Sequence, residues 1–209
     1  MLNLQTVGDL PAVARADTAR VDEVSHPYFK RRLEGSLLSA RVAWGRSAPV
    51  PKPQSAAAKR GLSYERKVLK TLEGNFPRRF IAQLPFTFRT QAKTGWAIPD
   101  GLLFDFDRRL VLLLEIKYTH GADAWWQLHK FYLPIVQEAL PSHRIIPVEI
   151  CRTYDPAVRL PKAPLLLTGL EEAFEAREGA LAILATRTGD CGGPQDQSHA
   201  EFCPYPSGD

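Results

Sequence analysis

The strongest constraint in this 209-residue sequence is a pair of apolar segments with a short polar break between them and charges at matched positions. Residues 98–106 and 110–118 each have the length and apolar content of a strand, and Asp107-Arg108 between them supply a tight turn. With those two residues at the centre of a hairpin, Phe106 pairs with Arg109 and Asp105 with Leu110. The same register carries Asp100 directly opposite Glu115. Paired positions project from one face of a sheet, and Lys117, two residues after Glu115, joins them. Two opposed carboxylates destabilise a purely structural hairpin. They make sense around a divalent cation.

The flanking segments frame this hairpin. Residues 62–73 are predicted helical, with Leu62, Leu69, Leu72 and Phe76 on one face and Glu65 within the same stripe. A carboxylate in an apolar stripe is costly unless it is paired or metal-bound. Residues 80–89 read as one strand, with Phe86 and Phe88 alternating against Thr87 and Arg89, and residues 90–95 as a polar loop. Residues 124–140 read as a helix carrying Trp125, Leu128, Phe131 and Ile135, bent or interrupted at Pro134. Further strands are expected at 144–151, 164–167 and 181–186, with a short helix at 171–177. The fold class is α/β: a mixed central sheet with the hairpin in its middle, flanked by the Glu65 and Gln127 helices.

Pro99-Asp100, a spacer and Glu115-Ile116-Lys117 resemble the signature of the PD-(D/E)xK nuclease superfamily, which includes restriction endonucleases and RecB-type exonucleases. Gly61-Leu-Ser-Tyr-Glu65 resembles the helical glutamate that precedes the hairpin in many members. Gln127-Leu-His-Lys-Phe-Tyr132 resembles the glutamine-bearing helix that follows it in RecB-like branches. There the usual tyrosine comes four residues after the glutamine; here Phe131 holds that place and Tyr132 is one later. The resemblance spans about residues 61–151 and implies a restriction-endonuclease-like core and hydrolysis of DNA. It implies Asp100, Glu115 and the Ile116 carbonyl as metal ligands, with Glu65 binding directly or through water. Lys117 would orient or deprotonate the attacking water, and Gln127 would support substrate or water. Carboxylate oxygens suit Mg²⁺, with Mn²⁺ as a substitute.

Charge distribution agrees with a polyanionic partner. Between Lys59 and Lys93 there are nine basic residues against two acidic ones, a run that would flank the cleft where a phosphate backbone enters. From Thr168 to Asp209 there are eight acidic residues against two basic. Trp125 and Trp126 could stack on unpaired bases, but a core or domain contact is the commoner use of such a pair. His120 and His129 read as surface residues rather than ligands.

Residues 1–55 read as an arm, with a short helix around residues 29–38 and a Pro-rich linker at 47–55. Residues 56–187 form the nuclease domain and 188–209 a tail. Arm and tail offer surfaces for a homo-oligomer or a larger assembly. No stretch reaches the ~20 apolar residues of a membrane span, and the amino terminus lacks the apolar core of a signal peptide. The expected location is cytoplasmic, with a virion as the alternative. Three cysteines are not a disulfide framework and suit a reducing compartment. Cys191, His199 and Cys203 match no common zinc-finger spacing and lack a fourth ligand. The rival function is a structural or assembly protein, for example of a phage particle, that retains the nuclease fold. A non-catalytic DNA-binding module is a second rival, disfavoured by the intact set of Glu65, Asp100, Glu115 and Lys117. Endo- and exonucleolytic cutting, and single- and double-stranded substrates, are equally compatible with these motifs.

Overall fold

The structure is a computed structural model that describes residues 35–44, 55–177 and 180–188. Most of the expected arm and linker, the tail and the Cys191, His199 and Cys203 group lie outside the described residues. Strand β1 (Leu37–Val42) precedes helix α1 (Ala56–Asn75). Strands β2 (Phe80–Ala82), β3 (Phe86–Thr90) and β4 (Thr94–Ala97) follow, then the hairpin of β5 (Gly101–Asp105) and β6 (Leu110–Thr119). A helical run comprises α2 (Ala122–Trp126), a π-helical turn (Gln127–Tyr132) and α3 (Leu133–Ala139). The remaining elements are β7 (Arg144–Tyr154), β8 (Leu165–Leu167), α4 (Leu170–Ala173) and β9 (Ala182–Thr188).

Six strands form one mixed sheet in the order β2-β5-β6-β7-β9-β8. The hairpin half is antiparallel and the β6-β7-β9-β8 half is parallel. Both faces of the centre are covered, which is why residues 110–116 and 145–151 are nearly all apolar. On one face Leu112, Leu114, Ile146 and Val148 pack against Leu69 and Leu72 of α1 and Leu170 of α4. On the other, Val111, Leu113, Ile145 and Ile183 pack against Trp125, Leu128, Phe131 and Ile135 of the helical run. A second sheet, β1-β3-β4, closes the far side of that run with Phe86 and Phe88 in the same core. Among the described residues no helix is long and apolar enough to cross a membrane.

The hairpin keeps the register read from the sequence: Asp105 pairs with Leu110 and Gly101 with Leu114. The Asp105 carboxylate accepts the Arg108 backbone N–H at 3.1 Å, and Arg109 takes φ of 50° to close the turn. Gly101 is required by packing, since a Cβ there would lie 2.5 Å from the Phe80 ring.

Several expectations are corrected. The single strand expected over 80–89 splits, because Gln83 adopts φ of 48° and Pro85 lacks an N–H for a ladder. Its two halves enter different sheets. The loop at 90–95 shrinks to a turn in which the Thr90 hydroxyl accepts the Ala92 and Lys93 N–H groups, so Thr94–Ala97 becomes a strand. Leu37 and Leu38, expected at the end of a helix in the arm, are in β1, which pairs along β3 from Leu37↔Thr90 to Val42↔Phe86. The folded body therefore reaches into residues 1–55. The helix expected over 171–177 is limited to Leu170–Ala173. Pro134 neither ends the long helix nor stands inside a regular one. It lacks the N–H that would reach residue 130, the chain relaxes into a π turn, and Pro134 sits in the first turn of α3.

Candidate active site

Asp100 stands immediately before β5, where the hairpin ladder ends. Its Oδ2 accepts the Ile116 backbone N–H at 2.7 Å, so the carboxylate takes over the place of a strand carbonyl. Glu115 lies opposite, 2% exposed, with its Oε1 held by Lys117 Nζ at 2.5 Å. Lys117 Nζ also donates to Gln127 Oε1 at 3.0 Å, across the sheet face to the helical run. Gln127 Nε2 donates to the Tyr132 hydroxyl at 3.0 Å, and that hydroxyl donates to the Ile98 carbonyl at 2.8 Å. A continuous hydrogen-bonded chain thus runs from Glu115 back to the segment that presents Asp100. Glu65 approaches from α1, its Oε1 accepting from Gln83 Nε2 at 3.1 Å. The backbone N–H of the same Gln83 bonds the Asp100 carbonyl at 3.0 Å. All five residues expected at the site are therefore linked by these bonds or by the mutual electrostatic influence of Glu65, Asp100, Glu115 and Lys117.

The π turn explains the displaced tyrosine. In a regular helix the residue four after Gln127 would lie beside it. The wider turn substitutes the fifth, so Tyr132 meets Gln127 while Phe131 points into the core at 1% exposure.

The electrostatics show what the cluster lacks. Burial, then the charges of Glu115 and Glu65, push the Asp100 carboxyl well above its usual range. Burial also raises Glu115, against the opposing pull of Lys117, and raises Glu65. Burial opposes the Lys117 ammonium, but the charge and hydrogen bond of Glu115, with Asp100, outweigh it and hold the lysine above its ordinary value. Glu115 Oε2 is buried without a hydrogen-bond partner among the described residues. Glu115 and Glu65 both raise Asp100, and Glu65 and Glu149 raise Glu115, so carboxylate charges oppose one another within this cluster. Among the described residues no group of three or more His, Cys, Asp or Glu side chains is placed to hold a metal ion.

No family model, curated protein or solved structure matches this chain. The site therefore stands on its own geometry.

Sequence reasoning missed Gln83, His120 and Glu149. Gln83 gave no signal, since its role depends on a backbone kink inside a strand-like segment. His120, read as a surface residue, is fully buried instead, because its N–H bonds the Thr153 carbonyl and its ring enters the sheet face. There His120 Nδ1 lies 2.9 Å from Glu149 Oε2, and Glu149 is the cross-strand partner of Glu115. His120 Nε2 and Glu149 Oε1 have no hydrogen-bond partner among the described residues. The signal was present: Glu149 is a carboxylate inside the apolar run 145–151, as Glu65 is inside its helical stripe. Cys151, beside Glu149, is no nucleophile, its thiol pushed up to about 12 by burial and by the Glu149 charge. His129 is half-buried rather than on the surface, stacked on Trp125 at 4.7 Å, and both tryptophans are core residues. Arg79, part of the basic run, bonds the Phe104 carbonyl and pairs with Asp105, so it supports the fold.

Proposed function

We propose that this chain is a Mg²⁺-dependent nuclease of the PD-(D/E)xK type, with a restriction-endonuclease-like core, that hydrolyses DNA phosphodiester bonds. One observation carries the reading. Asp100, Glu115 and Lys117 share the end of one hairpin, and Lys117 is tied to Gln127 on the neighbouring helix.

Asp100, Glu115 and the Ile116 carbonyl would hold the metal, with Glu65 reaching it directly or through water. When bound, the ion supplies charge stabilisation at the scissile phosphate and a more acidic water. The chain's own residues do the rest. Glu115 is buried and Asp100 half-buried, so their oxygens are poorly hydrated and gain most from a cation. Lys117, held charged by its neighbours, places an ammonium beside the scissile phosphate and offers its one remaining hydrogen to a phosphate oxygen or a water. In this arrangement its contribution is charge and position rather than proton abstraction. Gln127 fixes the Lys117 amine, and Tyr132 fixes Gln127. Exposed Lys59, Arg60, Arg66, Lys67 and Lys70 on α1 give the phosphate backbone a positive approach.

The test is incubation of the pure protein with linear, circular and single-stranded DNA, with Mg²⁺ or with EDTA. Cleavage in Mg²⁺ that EDTA abolishes is the expected result. No cleavage of any substrate in Mg²⁺ or Mn²⁺ would overturn the proposal.

A further inference from the structure

The small sheet turns its aromatic side, Phe86 and Phe88, into the core, and among the described residues its other side is open. Strand pairing arranges that open side in two rows: Arg41–Thr87–Trp96 and Ser39–Arg89–Thr94. Residues two apart on a strand put the rows about 7 Å apart. The six side chains line an open groove of about 630 Å³ that contains no carboxylate among the described residues. Arg41 and Arg89 are exposed and carry no ion pair among the described residues. Trp96 is 37% exposed, unlike Trp125 and Trp126, which the core absorbs.

The geometry points to this face as a binding site for single-stranded nucleic acid, the arginines and hydroxyls taking phosphates and Trp96 stacking on a base. The inference rests on the nuclease reading for its choice of nucleic acid among polyanions. Single strands are specified by the indole, because an aromatic ring on a flat sheet can stack only on a base already out of a duplex. Arginine and hydroxyl donors are the common phosphate contacts. The face is also joined to the candidate active site. Trp96 lies four residues before Asp100, so their Cα atoms are at most about 14 Å apart. The intervening Ile98 carbonyl is the one that Tyr132 holds. A strand seated on the face would pass the next phosphodiester toward Asp100.

Binding is measured on the full chain in EDTA, by fluorescence anisotropy with a labelled oligothymidylate and with a duplex of equal length. Trp96→Ala should weaken oligothymidylate binding between about 5- and 150-fold, the usual range for one stacked base. Trp96→Phe should recover most of it, and duplex binding should change little. Arg41→Ala with Arg89→Ala should weaken binding and lower the log–log salt slope by about 1.4. Oligothymidylate affinity unchanged in folded Trp96→Ala and in the arginine variant overturns the inference. So does a change of oligomeric state without a change in binding, which would make the face a contact between copies. The two readings separate cleanly. Cleavage by wild type, with unaltered single-strand binding in these variants, removes only this inference. Trp96-dependent binding by a protein that never cuts removes only the nuclease.

Discussion

Burial and two neighbouring carboxylates push the Asp100 carboxyl well above its usual range, and this has a consequence for stability. Between the ordinary aspartate value and the raised one, the folded state keeps a proton that the unfolded state has released. Stability contributed by this group is therefore present at low pH and falls as pH rises through that window. Asp100→Asn should melt higher than wild type at pH 7 without metal, and the gap should close toward pH 4. Equal melting of the two proteins at pH 7 would remove the strain assigned to the site. Glu115→Ala should abolish the stabilisation that Mg²⁺ or Mn²⁺ gives the wild type while leaving the fold intact, read as a lost metal-dependent melting shift. Tyr132→Phe strips partners from Gln127 Nε2 and the Ile98 carbonyl, a cost of about 1–3 kcal/mol, or a few degrees of melting temperature. Its cleavage rate should fall further than stability explains, because Lys117 loses its anchor; an unchanged rate would confine Tyr132 to packing. Asp100, Glu115 and Lys117 were legible because a strand has a period of two and a two-residue turn fixes its register. Glu149 and His120 escaped because they meet only across a parallel crossover, residues 120–143, which local pattern does not specify.

At the level of elements, two irregularities set the geometry. The π turn carries Tyr132 to Gln127, and it follows from Pro134, which the sequence showed plainly as a disruption without showing its form. The kink at Gln83 lets one side chain serve Glu65 while its backbone holds Asp100. Gly101 is the tightest point between these elements. Gly101→Ala should force the Phe80 ring and β2 away from β5, costing on the order of 1–3 kcal/mol as overpacking does. Because Asp100 is the next residue, cleavage should fall as well; wild-type melting and activity would show that the hairpin can yield there. The helix–hairpin–helix frame was readable because each segment repeats its own hydrophobic period. The split of residues 80–89 between two sheets was not, since Phe86 and Phe88 alternate as they would in a single strand.

Over the whole molecule, four layers stack in sequence: α1, the six-stranded sheet, the helical run and the small sheet. Strand β1, within residues 1–55, covers β3, and its Leu37, Ala40 and Val42 pack on the core. A chain beginning at Ala56 should lose that cover, melt lower and tend to associate through the bared strand edge. Unaltered melting and a monomeric state would show that β1 is dispensable. The proposed nuclease activity needs Lys117 to act on the transition state beside a carboxylate pair, and single-turnover cleavage by Lys117→Ala in Mg²⁺ is the direct test. Its DNA affinity and metal-dependent melting shift, recorded on the same preparation, should stay close to wild type. The account predicts a rate lower by a factor of about 10² or more. Cleavage at the wild-type rate would contradict it.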